Sequence, residues 1–522
     1  MEIENYSNNY IKIYFWKAIS IVSGFLSLLI VVPHLSNDIE LFGIYSFCIS
    51  FILYLTYADI GFLSAGQKYA AEAYARGNRK EEVDMLGFTA AILLLMIAPF
   101  SIGMIYFSFY PEVIVSELSN EGVIIASNIF LILGIVLPFQ IIIQRLVQSI
   151  LIIRIKDYIS LRIDVFFNLI KIVSVFYFFR DNHYLIVEYY LFISLLTIFS
   201  SILILVLIRK SENYNFLDLF KAIKLNKKQF DITKHLAYSS FFLTIGWIIY
   251  FELDLLFIGK WLGPEEVAIY AIGFTFLRFL RSLWNSVFSP YAQRFNHFVG
   301  AKNKIGLKNL IADIIDYTFP LCVIVTVTLV VVAEPLTLFW VGNKYSESVV
   351  IIQTLIIGSG FGFIINPANY YFSSSTRYKY IYTMAIVLPL IFILFVLFLT
   401  PELGILGISI SKSIAMFSGF VISLIGLFDI YNPLKIIKKW VLNTFILSGF
   451  IIYFLPTAIN KIFPVFEKSS FNLLVLMFIV AIFILFSYFL LLVLQKKQRN
   501  DLKKIYQKVL KKFFKTKKVL IK

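Results

Sequence analysis

The sequence predicts an all-α polytopic membrane protein. About fourteen transmembrane helices are expected, as two six-helix bundles related by a parallel repeat plus two C-terminal helices. Three observations carry that prediction. The 522 residues are 60% hydrophobic, 18% aromatic and only 15% charged, with a mean hydropathy of +0.84. A soluble domain runs at about 45–50% apolar and about 25% charged, so there is too little polar surface here to wet a water-facing exterior. That balance excludes a cytosolic enzyme, a secreted disulfide scaffold and a disordered regulator. The apolar excess is also clustered, with 27 uncharged residues between Asp84 and Glu112, 29 between Glu347 and Arg377, and 27 between Lys468 and Lys496. About 20 apolar residues cross roughly 30 Å of hydrocarbon.

Charges and Gly/Pro/Asn clusters divide these runs into spans at 13–33, 42–66, 86–109, 123–147, 161–179 and 184–208 in the first half. The second half gives 236–258, 266–290, 310–333, 348–372, 380–400, 404–428, 440–459 and 471–494. Glu2 and Glu4 precede the first run and no small-residue cleavage site follows it, which reads as an uncleaved first helix. Lys and Arg in the connections set the orientation. With the N-terminus inside, the inner segments hold 37 cations and the outer ones five: Arg180, Lys260, Lys344, Lys461 and Lys468. Both termini are therefore expected in the cytoplasm. This placement also accounts for the net charge of +16 without invoking nucleic acid.

A shift of 225 residues superposes the stretch Glu40–Leu86 on Glu265–Ile311, bringing Ile44-Tyr45 onto Ile269-Tyr270, Phe51 onto Phe276 and Asn78 onto Asn303. Six spans separate the copies, and an even number preserves direction, so the repeats are expected to be parallel. The predicted domains are an N-lobe (1–208), a basic cytoplasmic linker (209–234), a C-lobe (235–428), helices thirteen and fourteen (429–494) and a basic tail (495–522). In the tail, Leu502, Ile505, Tyr506, Val509, Leu510, Phe513 and Phe514 follow helical spacing with lysines on the other face, as in a helix lying on anionic membrane lipids. Phe216, Leu219, Phe220 and Ile223 form a shorter version in the linker.

Five cations fall inside spans more than two residues from either end: Lys17, Lys171, Arg278, Arg281 and Lys412. Each costs about 2.5–3.5 kcal/mol at a helix centre unless it faces water or a partner. Their phase points to a cavity. In span eight Thr275, Arg278, Ser282, Asn285 and Ser289 step by 3, 4, 3 and 4, and Arg281 lies beside Arg278. Lys17, Ser20, Gly24 and Ser27 repeat the theme in span one, Asp164, Asn168 and Lys171 in span five, and Ser409, Lys412 and Ser413 in span twelve. Competing readings have Lys17 snorkelling to headgroups and Asp164 pairing with Lys171. Acids also fall within spans: Asp59, Asp164, Glu252 and Asp254, with Asp313 and Asp316 near the start of span nine. Glu252 and Asp254, two apart on a helix, would point about 200° from each other and could not share a metal. The four histidines lack ligand spacing, so no metal or cofactor is expected, and Cys48 and Cys322 read as packing residues. A cationic lining suits a phosphate or pyrophosphate head, which arginine grips with a bidentate fork.

The segment Tyr57-Ala-Asp-Ile-Gly-Phe, continuing to Ala75-Arg-Gly-Asn-Arg-Lys-Glu-Glu, resembles the stretch after the second helix of polysaccharide-biosynthesis exporters. The second copy, Leu253-Asp254 through Gly263-Pro-Glu-Glu-Val-Ala-Ile-Tyr270, is similar to their seventh-helix pattern. These proteins form the O-antigen-type lipid-linked oligosaccharide flippase branch of the multidrug/oligosaccharidyl-lipid/polysaccharide exporter superfamily. The resemblance implies a MATE-like pair of bundles that alternates between inward- and outward-open forms. Its substrate would be an undecaprenyl-pyrophosphate-linked glycan, moved across the bacterial inner membrane by a monomer that is not an enzyme. Arg278, Arg281, Lys412, Lys17, Lys171 and Asn285 would form the cationic cavity, with Asp59, Glu252, Asp254 and Asp164 as coupling or structural acids. An alternative is a cation-coupled small-molecule antiporter on the same scaffold. Multidrug members tend to carry an acid in the N-lobe pathway, whereas span one here carries Lys17. A third reading, a polysaccharide polymerase or ligase, lacks the large outer loop and the convergent nucleophile and base such enzymes need.

Overall fold

A computed structural model describes residues 3–56, 61–180, 184–212, 214–288, 291–495 and 498–500. Among them there is no strand. The helices are α1 (Ile3–Leu35), α2 (Ile39–Thr56), α3 (Phe62–Ala75), α4 (Arg79–Phe109), α5 (Asn120–Ile153), α6 (Tyr158–Phe178), α7 (Ile186–Glu212), α8 (Phe216–Ala222) and α9 (Lys227–Phe251). They continue with α10 (Asp254–Trp261), α11 (Pro264–Phe288), α12 (Tyr291–Gly300), α13 (Lys304–Val331), α14 (Ala333–Val341), α15 (Ser348–Ser359), α16 (Gly362–Ser374), α17 (Tyr378–Phe428), α18 (Leu434–Ile462) and α19 (Ser470–Leu494). Among the described residues nine helices are long and apolar enough to cross a membrane, and the pair α15–α16, bent by 43°, makes a tenth. The described residues of each predicted span fall largely on one helix or on two consecutive helices. Phe445, Phe450, Tyr453, Phe471, Phe478 and Phe486 stand exposed on α18 and α19, as residues that meet lipid rather than water do. The tail helix expected from 502 onward lies outside the described residues.

The chain forms two compact units, Met1–Ile272 with Ala385–Ser411, and Gly273–Met384 with Lys412–Lys522. In unit 1, α1 and α6 run parallel. Lys12 lies over the Tyr158 ring, Asn168 donates to the Ser23 carbonyl and hydroxyl at 2.9 and 2.7 Å, and His34 packs edge-on against Phe176. α4 and α5 run antiparallel: Arg154 meets Glu82 at one end, Ser101 donates to the Gly134 carbonyl midway, and Ser127 donates to the Ser108 carbonyl at the other. Hydroxyls that bond a facing backbone carbonyl tie such pairs where lipid offers no competing water. Small residues set the closest approaches, and a Cβ at Gly43 would collide with the Pro264 backbone.

The repeat is visible bond for bond at one corner. Between α3 and α4, Arg76 N–H donates to the Glu72 carbonyl, Gly77 to Tyr74, Asn78 to Ala73 and Arg79 to Gly77. Between α12 and α13 the same four bonds recur 225 residues later, from Ala301 to His297, Lys302 to Val299, Asn303 to Phe298 and Lys304 to Lys302. Asn78 (φ −87°, ψ 82°) and Asn303 (φ −87°, ψ 84°) cap the next helix identically, each accepting from the backbone three residues on. The left-handed turn residue is Gly77 in one copy and Lys302 in the other.

Two sequence expectations need correction, and a third gains detail. Spans eleven and twelve meet at Gly404 (φ 54°, ψ −134°), the break expected between them, where α17 folds back in a conformation open to glycine. A Cβ at Gly407 would strike the Leu399 and Thr400 backbone, which a straight helix would hold about 12 Å away at 1.5 Å per residue. Ser423 reaches Met384 Sδ at 3.6 Å and Arg377 pairs with Asp429 at 2.5 Å, closing the open end of this helical hairpin. Glu252 and Asp254 do not share a helix, because α9 ends at Phe251 and α10 begins at Asp254. Asp316, expected near the start of span nine, lies midway along α13. It is nearly buried in unit 2 and accepts from Lys439 at 2.9 Å, from the Trp440 indole at 2.7 Å and from Gln498 at 2.7 Å. One carboxylate thus pins α18 and the segment after α19 to α13.

The cations counted as inner-segment charges also include a buried network in unit 1. Glu82, fully buried, bridges Arg79 at 2.7 Å and Arg154 at 2.8 Å. Arg154 also donates to the Ile150 carbonyl and lies 3.8 Å from Glu212, which pairs with Lys156. Tyr214 and Tyr74 lie beneath the guanidinium groups, with Arg79 3.6 Å from the Tyr214 ring centre. Removing one partner strands the others, so Glu82→Gln should cost about 3–5 kcal/mol. Glu81→Gln, in an exposed pair with Arg76, should cost under about 1 kcal/mol. Denaturant titration of the detergent-solubilised protein measures both. Burial raises the Tyr214 phenol from 10 to about 12, against the pull of Arg79 and Arg154. The folded state thus holds that proton more tightly than the unfolded chain. Tyr214's contribution should be complete below pH 10 and vanish between 10 and about 12, leaving Tyr214→Phe the flatter stability profile across that window.

Candidate functional site

Unit 2 brings three of the predicted cavity residues onto one stretch of α11 and adds the fourth from α17. α11 is amphipathic in an unusual sense: Leu277, Leu280, Trp284 and Phe288 are buried, whereas Ser282 and Asn285 are exposed and Arg278 and Arg281 half-buried. The buried set packs the helix and leaves Ser282 and Asn285 on its exposed side, together with Phe279 and Leu283. Ser289 of the predicted stripe lies outside the described residues. The Asn285 carboxamide oxygen accepts from Tyr370 of α16 at 3.4 Å. Beside it, a Cβ at Gly362 would press on the Trp284 ring and the Asn366 amide.

Lys412 is fully buried, and its ammonium lies 4.6 Å from the centre of the Phe274 ring. The Arg278 guanidinium lies at the same 4.6 Å from that ring. Phe274 itself is 2% exposed. Two cations from different helices therefore lie against one ring, whose quadrupole attracts positive charge more strongly when water is excluded. Sequence phase had placed Arg278 and Lys412 on polar stripes; the ring that joins them was not singled out, because phenylalanine is common throughout the chain.

Unit 1 holds the remaining predicted residues in a different arrangement. Lys171 is half-buried on α6, between the level of the Asn168–Ser23 contact and that of Phe176. Asp164 is half-buried on the same helix, and no ion pair joins the two among the described residues. Lys17 is exposed near the start of α6. Burial raises the Asp157 carboxyl there, while a backbone hydrogen bond and the Lys17 charge pull it down. Asp254 is buried and accepts from the Tyr270 hydroxyl, which ties α10 to α11. Glu252 is buried where α9 ends. Asp59 lies outside the described residues. Cys48 and Cys322 are both buried. Among the described residues no cluster of His, Cys, Asp and Glu could hold a metal ion.

The sequence matches no family model and no curated protein. Solved structures do match. The lipid II flippase MurJ in an inward closed conformation superposes with a TM-score of 0.69 at 17% identity, over 92% of this chain and 97% of that one. An inward-facing multidrug resistance MATE family transporter of the MOP superfamily gives 0.65 at 12%, over 79% and 94%. The eukaryotic MATE transporter AtDTX14 gives 0.57 at 13%, over 84% and 99%. At such identities the shared property is the fold, and the fold predicted from sequence is the one observed. It is a multi-pass membrane fold found in transporters and flippases rather than enzymes.

If the α11 stripe faces water, cysteines there should ionise and react, since only a thiolate is a competent nucleophile. In a chain carrying Cys48→Ala and Cys322→Ala, Ser282→Cys and Asn285→Cys should be modified by a charged methanethiosulfonate. Leu280→Cys, packed inside, and Leu283→Cys, on the exposed apolar side, should stay unmodified by mass spectrometry.

Proposed function

We propose that this protein is a flippase for undecaprenyl-pyrophosphate-linked oligosaccharides, turning repeat units from the cytoplasmic to the outer leaflet of the bacterial inner membrane for surface polysaccharide synthesis. The observation that carries the proposal is the convergence of Arg278 and Lys412 on Phe274 within unit 2. Cations in the apolar part of a membrane protein call for anionic partners, and a cargo head can be one. A pyrophosphate meets that need, because arginine grips phosphate oxygens bidentately while lysine supplies a compact second charge. Arg281, one turn along, extends the same positive field. Asn285 and Tyr370 lie about two helical turns from Arg278, where the first sugars beyond the pyrophosphate would fall, and both exchange hydrogen bonds with hydroxyls readily.

Lys171 and Lys17 of unit 1 are assigned to the same cargo at another stage of the cycle, on charge alone. The polyprenyl chain would remain in lipid throughout, since burying it in a charged cavity would forfeit its apolar solvation. Alternating access then needs only a change in which leaflet the cationic groups face. The fold shared with a lipid II flippase supports a lipid-linked cargo, and the excess of inner-segment cations supports cytoplasmic termini.

Charge reversal is the decisive test. Arg278→Glu combined with Arg281→Glu should abolish surface polysaccharide at normal protein level, and Arg278→Ala alone should slow proteoliposome translocation of a fluorescent pyrophosphate lipid by about 10- to 100-fold, the size of one charge-assisted hydrogen bond. Undiminished polysaccharide in the double variant would remove the proposal.

A further inference from the structure

We propose that the polar face of α16, together with Trp284 and Asn285 of α11, is a saccharide subsite that takes the uncharged, hydroxyl-rich part of the cargo. The inference rests on the proposed function and names the part of the substrate that this corner of unit 2 holds.

α16 is divided along its length. Ile364, Ala368 and Tyr371 are buried and pack the helix, whereas Asn366, Asn369 and Tyr370 are half-buried. Gly362, Asn366 and Asn369 follow at steps of four and three, so the glycine and both carboxamides share one face. A Cβ at Gly362 would fall 3.2 Å from the Asn366 amide nitrogen, 3.3 Å from Trp284 Cδ1 and 3.7 Å from Trp284 Nε1. Glycine therefore leaves a notch walled by the N–H edge of the indole and by the Asn366 amide. Asn366 is held in place by donating to the Gly362 carbonyl at 2.9 Å. Farther along, the Tyr370 hydroxyl donates to the Asn285 carboxamide oxygen at 3.4 Å, which brings that exposed side chain to the same corner.

Two atoms at this corner are buried and have no hydrogen-bond partner among the described residues. One is Trp284 Nε1, on a residue 3% exposed; the other is Asn369 Oδ1. Buried polar atoms are paired almost throughout native proteins, so an orphan donor and an orphan acceptor close together call for a ligand. Their chemistry narrows its class. An indole N–H can only donate, which excludes a metal ion as its partner, and a carboxamide oxygen can only accept, which opposes a phosphate oxygen. A hydroxyl does both, so a polyol answers the whole set. None of the six residues is charged, which suits a neutral ligand. Gly362 and Asn369 lie about 10 Å apart along the helix at 1.5 Å per residue, a span that fits a short saccharide better than a single small molecule.

The test uses the purified full-length protein, labelled with 5-fluorotryptophan, in a detergent without a sugar head. Water-soluble sugar pyrophosphates serve as probes: UDP-N-acetylglucosamine and UDP-glucose, with UDP as the sugar-free control. The six tryptophans give the fluorine resonances, and Trp284→Phe identifies the one from Trp284. That resonance should move with at least one sugar nucleotide and stay in place with UDP. By calorimetry, the ratio of sugar-nucleotide to UDP affinity should fall about two- to tenfold in Asn369→Leu, the size of one hydrogen bond between neutral groups. Asn366→Leu should lower the same ratio, and ligand-free melting curves check that each variant folds. A Trp284 resonance that ignores both sugar nucleotides, or moves equally with UDP, overturns the subsite and leaves the orphan atoms to water. An affinity ratio unchanged in both asparagine variants overturns it as well. In either case, UDP binding that is lost in the Arg278→Glu, Arg281→Glu double variant leaves the proposed function standing. If the parent binds neither UDP nor a sugar nucleotide, the proposed function falls and the subsite with it.

Discussion

The structure depends on one constraint: a charge drawn away from water must be given something in return. Four solutions are visible. Glu82 is shared between two arginines at a helix end. Asp316 receives three donors and thereby fastens the appended helices to α13. Asp254 is held by a tyrosine hydroxyl. These three close their hydrogen bonds inside the protein and read as architecture. In the fourth, the Arg278 guanidinium and the Lys412 ammonium each lie 4.6 Å from the centre of the Phe274 ring, whose quadrupole attracts them. A buried ion pair contributes little net stability, because desolvation consumes most of the Coulombic gain. What such a pair does supply is a penalty for any arrangement that separates its members, and that penalty suits the ends and hubs of helices.

Much of this was legible in the sequence because membranes simplify the problem. A backbone in hydrocarbon must satisfy its own hydrogen bonds, so long apolar runs become helices and hydropathy alone locates them. The repeat was legible for a related reason, since the Asn78 and Asn303 caps are dictated by the unpaired N–H groups at a helix start. What escaped was everything decided by contacts between distant segments. The break at Pro401-Glu-Leu-Gly404 is legible, but how closely the two limbs of α17 approach is decided by the contacts between them. Arg79 and Arg154 read as solvated charges until Glu82 and Glu212 are seen to enclose them. The polar stripe on α11 was legible from its 3–4 spacing; the partner ring was not, because nothing in a run of phenylalanines marks the one that touches a lysine over a hundred residues away.

The repeat also separates scaffold from specialisation. The corner between α3 and α4 and the corner between α12 and α13 keep the same four backbone bonds and the same asparagine cap, so the geometry that turns the chain is common to both copies. Applied to α11, the same 225-residue shift maps Phe274, Arg278 and Arg281 onto Ile49, Leu53 and Thr56 of α2. The first copy therefore has neither the ring nor the charges, and Ile49 and Leu53 suit an apolar setting without any compensation. A fold built from two like halves needs like corners in both, because each corner must satisfy a helix end. On the proposed function, cationic groups for the head of the cargo are needed only once, because the proposed cargo has one pyrophosphate. On this argument the asymmetry between the copies follows from the asymmetry of the cargo, and the residues that break the repeat are the ones that carry the proposed function.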